Sequence, residues 1–417
     1  MSTIISTASA NPIQTDPMSV GRLKIDTVLF QSVEEINPEL WVSVVEHSNR
    51  FLCLDYLSAL EESHDEGLEL RYVLFMCGSE PVGAAAFQIT HFTTSGDAYS
   101  NLLFKGINSI TKFVRRRHIH NVLICGNAIA TGEHGFSFHK GIGDKRISSL
   151  IVGAMQEIAK QEKKRGMKIC AMIIKDFYPD SVGIADEMEK LRFKKFQVDH
   201  NMVMPLLKEW LTFDDYLESM NTKFRTKAKA ALKRSSNLEI REWEADELTS
   251  ILPQLEMLYD NVYQKADFRL GKLDVSALPL LLRHLSSNFT LKTYSINGEI
   301  IGFMTAMRCG DMLEAHIIGL DYEMNRDHAV YQRMLYDYIE LGIQSGCRRI
   351  VFGRTAAEIK SSVGALPVDL SVCFLHQMWV SNALLSLILQ YVKPSEYPHR
   401  EPFKAEVMKQ IIEQPLY

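Results

Sequence analysis

His316 to Ala365 reads HIIGLDYEMNRDHAVYQRMLYDYIELGIQSGCRRIVFGRTAAEIKSSVGA, and its pattern is the most informative about architecture in the chain. Its first residues end an apolar run that begins at Met312 and reads as a strand. From Ala329 to Gln344, Tyr331, Met334, Leu335, Tyr338 and Ile339 recur at helical spacing, which predicts an amphipathic helix. Gly346 stops that helix, because glycine takes a left-handed cap at least cost. The short run CRRIVFG from Cys347 then reads as a buried strand, and Ala356 to Val363 as a second, shorter helix.

Upstream, Leu291 to Met307 reads as a hairpin whose turn is Asn297-Gly298, the dipeptide best suited to the positive φ angles of a tight turn. The first half of the chain repeats this order. Arg71 to Ile89 is a hairpin, and its Glu80, Val82 and Gly83 match Glu299, Ile301 and Gly302 at one constant offset. A strand over Asn121 to Ala130, a helix over Lys145 to Lys164 stopped at Gly166, the run MKICAMII from Met167 and a short helix over Ser181 to Leu191 follow. Returning strands are expected near Phe196 to Met204 and near Leu370 to Trp379. His91 to His120 has no counterpart and reads as an insertion, either a lid or a partner surface.

The fold class expected is α/β with mixed α+β sheets, built from two tandem copies of one unit; one large sheet with a chance repetition is the alternative. The expected division is a loose tail over 1–20, a first unit over 21–207, a basic helical linker over 208–236, a second unit over 237–380 and a helical extension over 381–417. A length of 417 residues suits such a doubling.

Composition narrows the partners. A formal charge of −5 gives the whole chain no general attraction for DNA or for anionic membranes. Seven scattered cysteines without a CxxC pair or a histidine at ligand spacing disfavour a disulfide framework and a metal site. No apolar run approaches the ~20 residues that span a bilayer, and the expected compartment is the cytoplasm, with Ala383 to Val392 as a segment for peripheral membrane contact. One strongly basic stretch stands out: after the apolar stripe Phe213, Tyr216, Leu217, Met220 and Phe224, the predicted helix carries Lys223, Arg225, Lys227, Lys229, Lys233 and Arg234 with no acid among them. It is either a solvated face or a dock for phosphates or an acidic protein.

The doubled unit resembles the GNAT-type acyltransferase superfamily, in its tandem FemAB-like and BioF2-like branch. Gly319, Asp321, Tyr322, Phe352, Gly353, Lys360 and Gly364 fill the places of that branch's turn, strand end and lysine segment, and FDDYLESMNTKFRTKAKAAL is similar to the Fem-type linker. The resemblance implies two GNAT-like domains and an N-acyltransferase in which a primary amine attacks an acyl-CoA or acyl carrier protein thioester directly. It also implies that two central parallel strands part to hold the pantetheine arm and that a helix N-terminus receives the diphosphate. No tightly bound cofactor is expected. A lipid amine of sphingoid type is one acceptor that the resemblance admits; a tRNA-dependent aminoacyl transfer and a non-catalytic binding protein are the competing readings.

Departures from the pattern direct the site assignment. The second copy reaches its helix through DYEMNRDH, whose acids oppose a diphosphate, whereas the first offers HKGIGDKR with Lys140, Gly141, Gly143, Lys145 and Arg146, the expected thioester loop. Catalysis is expected from Arg354 and Glu358, placed on one face if a helix begins between them, with His316 and Asp321 at the end of the second central strand. Lys360, Tyr322 and, in the polar stretch CGNAIATGEHGF, Asn127, Thr131 and His134 are the expected substrate contacts. That stretch also holds Glu133, and its Cys125 reads as a buried apolar residue, not a nucleophile. Arg225, Lys227, Lys229 and Lys233 are the expected dock for an acidic carrier.

Overall fold

Two mixed sheets form, and each borrows a strand from the other half of the chain. The computed structural model describes residues 24–46, 48–63, 67–93, 119–265, 270–389 and 395–416; the expected tail and most of the insertion lie outside the described residues. The first half supplies β1 (Asp26–Phe30), β2 (Leu68–Cys77), β3 (Glu80–Thr93), β4 (Ile119–Cys125), β5 (Phe136–Phe138), β6 (Ile169–Phe177), β7 (Lys194–Gln197) and β8 (Asn201–Pro205). The second supplies β9 (Glu239–Glu242), β10 (Phe289–Ile296), β11 (Glu299–Cys309), β12 (Met312–Leu320), β13 (Arg349–Val351), β14 (Leu366–Val368) and β15 (Ser371–His376).

The first sheet runs β1-β2-β3-β4-β6-β15-β7 and the second β14-β8-β13-β12-β11-β10-β9. β15 therefore fills the gap between β6 and β7, and β8 fills the gap between β13 and β14. This exchange crosses the divisions expected at 207 and 380. Sequence patterning marks both segments as buried strands, and all five residues of β8 are buried, but the pattern carries no information on which sheet a strand joins.

Helices α1 (Pro38–Val42) and α2 (Leu54–Glu62) precede β2, and α3 (Asp144–Lys164) and α4 (Val182–Lys190) flank β6. The expected single linker helix is two, α5 (Phe213–Ser219) and α6 (Thr222–Arg234). Met220 adopts extended backbone between them and bridges Phe403, while Asn221 caps α6 by accepting from the Phe224 amide. In the second copy α7 (Leu252–Lys265) and α8 (Ala277–Leu285) precede β10, whereas α9 (Tyr322–His328), α10 (Val330–Gln344) and α11 (Ala357–Ser361) lie around β13. α12 (Trp379–Leu389) and α13 (Ala405–Ile412) follow β15. The second hairpin turns as its sequence predicts, with Asn297 at φ 51 and Gly298 at φ 81.

Each sheet buries one face under its long helix, α3 in the first copy and α10 in the second. A further core joins the copies: Leu52 and Trp41 from the first pack in one cluster with Leu255, Leu278 and Leu281 from the second. At about 1.5–3 kcal/mol for each fully buried leucine, this seam fixes one copy against the other.

Candidate functional site

The parallel strand pairs differ between the sheets. In the first, β4 and β6 pair from Asn121↔Ile169 to Cys125↔Ile174, the full remaining length of β4. In the second, β12 pairs with β13 only from Met312↔Arg349 to Glu314↔Val351, and β12 then continues to Leu320 with β11 as its sole strand partner. The parted strands thus belong to the second copy, and the chains that leave the parallel pairs meet at the seam.

Beyond β4, the loop over 126–135 folds against the end of β6. A pocket of about 220 Å³ lies between Glu133, Phe136 and Phe138 on one side and Ile147, Ser181 and Ile184 on the other. Ser181 donates to Oε2 of Glu133 at 3.0 Å, and Oε1 is buried without a partner. Burial pushes this carboxyl up to about 7; the Ser181 hydrogen bond pulls against it and the charge of Asp176 adds to it.

The thioester loop expected from the sequence leads out of this pocket. Lys140, Gly141, Gly143 and Lys145 are exposed, Arg146 is half-buried, and a Cβ at Gly141 or Gly143 would meet nothing within 4 Å. Gly143 is the N-cap of the 21-residue α3 and offers no side-chain hydrogen bond, so the first amides of the helix carry no cap. Lys145 also lines a surface groove of about 380 Å³ with Ser149, Glu187, Lys190 and Leu191. The corresponding approach in the second copy is filled. Asp321 caps α9 by accepting from the Glu323 and Met324 amides at 2.8 and 3.0 Å, and Asn325 Oδ1 accepts from the Tyr331 amide in the first turn of α10 at 2.8 Å.

The expected pairing of Arg354 with Glu358 does not form. α11 begins at Ala357, so Arg354 precedes the helix and the four-residue spacing does not align the two. Gly353, at φ 77, turns the chain so that Arg354 reaches the other copy and forms an ion pair with Asp176. Glu358 instead lies exposed and accepts from Arg400 at 2.6 Å. Burial alone would raise the Asp176 carboxyl, but Arg354, Lys175 and the Gly132 amide together hold it below the usual carboxylate range. Lys175 donates to the carbonyls of Asn127 and Ala130 at 2.6 and 2.8 Å, and burial brings its ammonium down to about 8.

Other expected site residues are spent on structure. His316 sits among Phe51, Tyr56 and Phe289, within 3.3 Å of Thr305 Oγ1 and 3.5 Å of the Tyr56 hydroxyl. Burial lowers it to about 4, which leaves a neutral core histidine and a weak base. His134 lies against the Phe51 ring at 4.0 Å, donates from Nε2 to the Thr131 carbonyl, and is likewise lowered to about 4 by burial. Asn127 accepts from the Ile129 and Ala130 amides and donates to Tyr56, so both Oδ1 and Nδ2 are engaged within the fold. Lys360 caps the end of β13 by donating to the Phe352 carbonyl at 2.7 Å, and burial lowers its ammonium to about 7. Tyr322 carries Lys265 over its ring at 3.2 Å, and the Cys125 thiol is pushed up by burial. On α6, Lys227, Lys229 and Lys233 are exposed and Arg225 half-buried; none forms an ion pair among the described residues.

Two functional candidates carried no role in the sequence. Glu314 is 4% exposed and its carboxyl has no hydrogen bond among the described residues; burial pushes it up to about 8, against the pull of Arg349. Tyr178, whose hydroxyl accepts from Asn201 at 3.2 Å, feels the negative charges of both Glu314 and Glu133. Glu133 Oε1, Asn201 Oδ1, Arg349 Nε and Arg354 Nε are buried without partners in this same region. The readable signal was a charge inside an apolar strand: Lys175-Asp176 in ICAMIIKDF and Glu314 in MLEAHIIGL.

Comparison with known proteins agrees with this architecture. Residues 222–361 match the family model of the acetyltransferase (GNAT) domain. A tandem GNAT protein from the clavulanic acid biosynthesis pathway is similar in structure, with a TM-score of 0.50 and 9% identity over 85% of this chain and 98% of that one. FemX is similar with a TM-score of 0.47 and 13% identity over 81% of this chain and 94% of its own. L-PGS from Bacillus licheniformis has a TM-score of 0.46 and 12% identity over 81% and 92%. No curated protein matches by sequence. Residues 222–361 thus carry a GNAT acetyltransferase domain, and the likeness that extends across both halves is one of fold.

Proposed function

We propose that the chain is an N-acyltransferase that moves an acyl group from an acyl-CoA or acyl carrier protein thioester to a primary amine, including the amine of a lipid. The observation that carries this reading is the Glu133 pocket beside the uncapped start of α3. The loop Lys140 to Arg146 brings cations and two glycines to a helix N-terminus, a setting that favours a diphosphate. The amine nitrogen attacks the thioester carbonyl carbon, the C–S bond breaks, and the thiolate leaves. Glu133 takes the proton the amine loses, and a group that titrates near 7 suits that transfer at neutral pH. Glu314, held near 8 at the point where β12 and β13 part, is the second candidate base. The exposed cations of α6 suit an acidic carrier protein as thioester donor.

The test is thiol release from a panel of acyl-CoA and acyl carrier thioesters with a panel of primary amines. With Glu133 as base, kcat rises with pH through about 7, and Glu133→Gln removes that limb and lowers kcat about a hundredfold or more while thioester affinity holds. A limb near 8 that Glu314→Gln removes would move the base to the second copy. No turnover with any thioester would overturn the proposal.

A further inference from the structure

We infer that the edge of the first sheet farthest from the Glu133 pocket rests on a membrane surface that carries anionic lipid. β15 ends at His376 beside the starts of β6 and β4, since His376 pairs with Ala171 and Asn121 with Ile169. The chain then enters α12 with three successive apolar side chains in water: Met378 is 59% exposed, Trp379 71% and Val380 46%. Exposed apolar residues scattered singly are ordinary, but three consecutive ones at the head of a helix form a patch that water disfavours. The helix itself, WVSNALLSLIL, contains no charged residue, and no helix among the described residues is long and apolar enough to cross a membrane.

The tip is held firmly. Asn382 turns toward the sheet, where its Oδ1 accepts from the His376 amide and its Nδ2 donates to the Arg192 carbonyl, both at 3.0 Å. The patch is thus presented on a fixed scaffold, with tryptophan as its most exposed side chain, the residue that partitions to the headgroup level of bilayers.

Charge around the tip selects the occupant. Lys168 and Arg192 are exposed at this edge and form no ion pair among the described residues, while Glu69, the nearby acid on β2, is engaged by Arg71 and His91. In a chain of formal charge −5, apolar side chains flanked by Lys168 and Arg192 match an anionic lipid surface, where buried apolar area and attraction to headgroups act together. This inference does not depend on acyl transfer.

The test is co-sedimentation of the full chain with vesicles of phosphatidylcholine, with and without phosphatidylglycerol. Binding is expected to the anionic vesicles and to weaken with added salt. Replacing Met378, Trp379 and Val380 together by serine should weaken it at least about tenfold, and Lys168→Glu or Arg192→Glu about fivefold each. Trp379→Phe keeps binding but removes the part of the tryptophan fluorescence that brominated lipid quenches, a readout that does not depend on a folding defect in the triple variant. Absence of binding to phosphatidylglycerol vesicles, or a triple variant that binds as tightly as the parent, overturns the inference. So does a concentration-dependent dimer in vesicle-free buffer that the triple variant abolishes, since the patch would then be covered by a second copy of the chain.

Discussion

The two copies keep the same order of elements and differ at the approach to the central helix. In the first, an exposed glycine loop runs into α3 with no side-chain cap, and a pocket with a raised carboxyl lies beside it. In the second, α9 is inserted at this point, Asp321 caps it, and Asn325 covers the first turn of α10. Yet the parted strands belong to the second copy. The seam where Glu133, Tyr178 and Glu314 come together exists only when both copies are present.

The largest effect should come from separating the copies. A chain ending at 207 lacks β15, so β6 and β7 are left with a gap between them, and the partner fragment lacks β8 between β13 and β14. Unpaired strand edges in a buried sheet are costly and prone to aggregate. Neither half alone should give a cooperative unfolding transition, whereas co-expression of both should restore a soluble complex seen by size-exclusion chromatography. A first half that unfolds cooperatively by itself would show that the exchange is dispensable.

Next comes the ion pair across the seam. Arg354→Ala leaves Asp176 fully buried with Lys175 as its only charged partner, which should cost about 3–5 kcal/mol in chemical denaturation at neutral pH. The sign with pH is fixed. Asp176 in the parent is depressed, so its contribution is present above its ordinary value of 3.8 and is lost as pH falls through the lower folded value. In the variant the carboxyl moves up, so the deficit relative to the parent should shrink on acidification as Asp176 is protonated. A change below about 1 kcal/mol, the range of exposed pairs, would show that Arg354 does not hold the copies together.

Much of this comparison was legible in the sequence. The doubled order of elements, the glycine stops and the contrast between HKGIGDKR and DYEMNRDH all follow from local periodicity and charge, which the fold preserves. What escaped was long-range. Nothing local states that β8 and β15 trade sheets. Arg354 and Glu358 failed as a pair because α11 starts three residues after Arg354, and helix boundaries are the feature that spacing fixes least. His316 and His134 look reactive by residue type, but burial lowers both to about 4, and burial is a property of the assembled seam. Glu314 hid in plain view as the one acid in an apolar strand.

The loop from Lys140 to Arg146 supplies a middle-sized test. Lys140→Glu with Lys145→Glu replaces two exposed cations beside the α3 N-terminus, and should weaken binding of CoA about tenfold at low salt, read by calorimetry. Glu323→Lys, the opposite change at the start of α9, should leave CoA affinity unaltered, because that helix start is already occupied by Asp321. Equal effects of the two changes would show that neither copy is preferred.

The smallest effect is the sharpest probe of the division, because it exchanges the two helix starts. Asp321→Ala removes two capping hydrogen bonds and should cost about 1 kcal/mol of stability with no change in CoA affinity. Gly143→Asp writes the same cap into the first copy, where the backbone at φ −75 and ψ 156 already suits an N-cap and the Cβ meets nothing within 4 Å. Against glycine a new cap adds only a few tenths of a kcal/mol, so the thermal midpoint should hardly move. A carboxylate now competes with the diphosphate for the same amides, and CoA affinity should fall several-fold, in the direction opposite to stability. Only a helix start used by a ligand separates the two quantities in this way; if Gly143→Asp stabilises α3 and leaves CoA binding untouched, the open approach of the first copy is a structural accident.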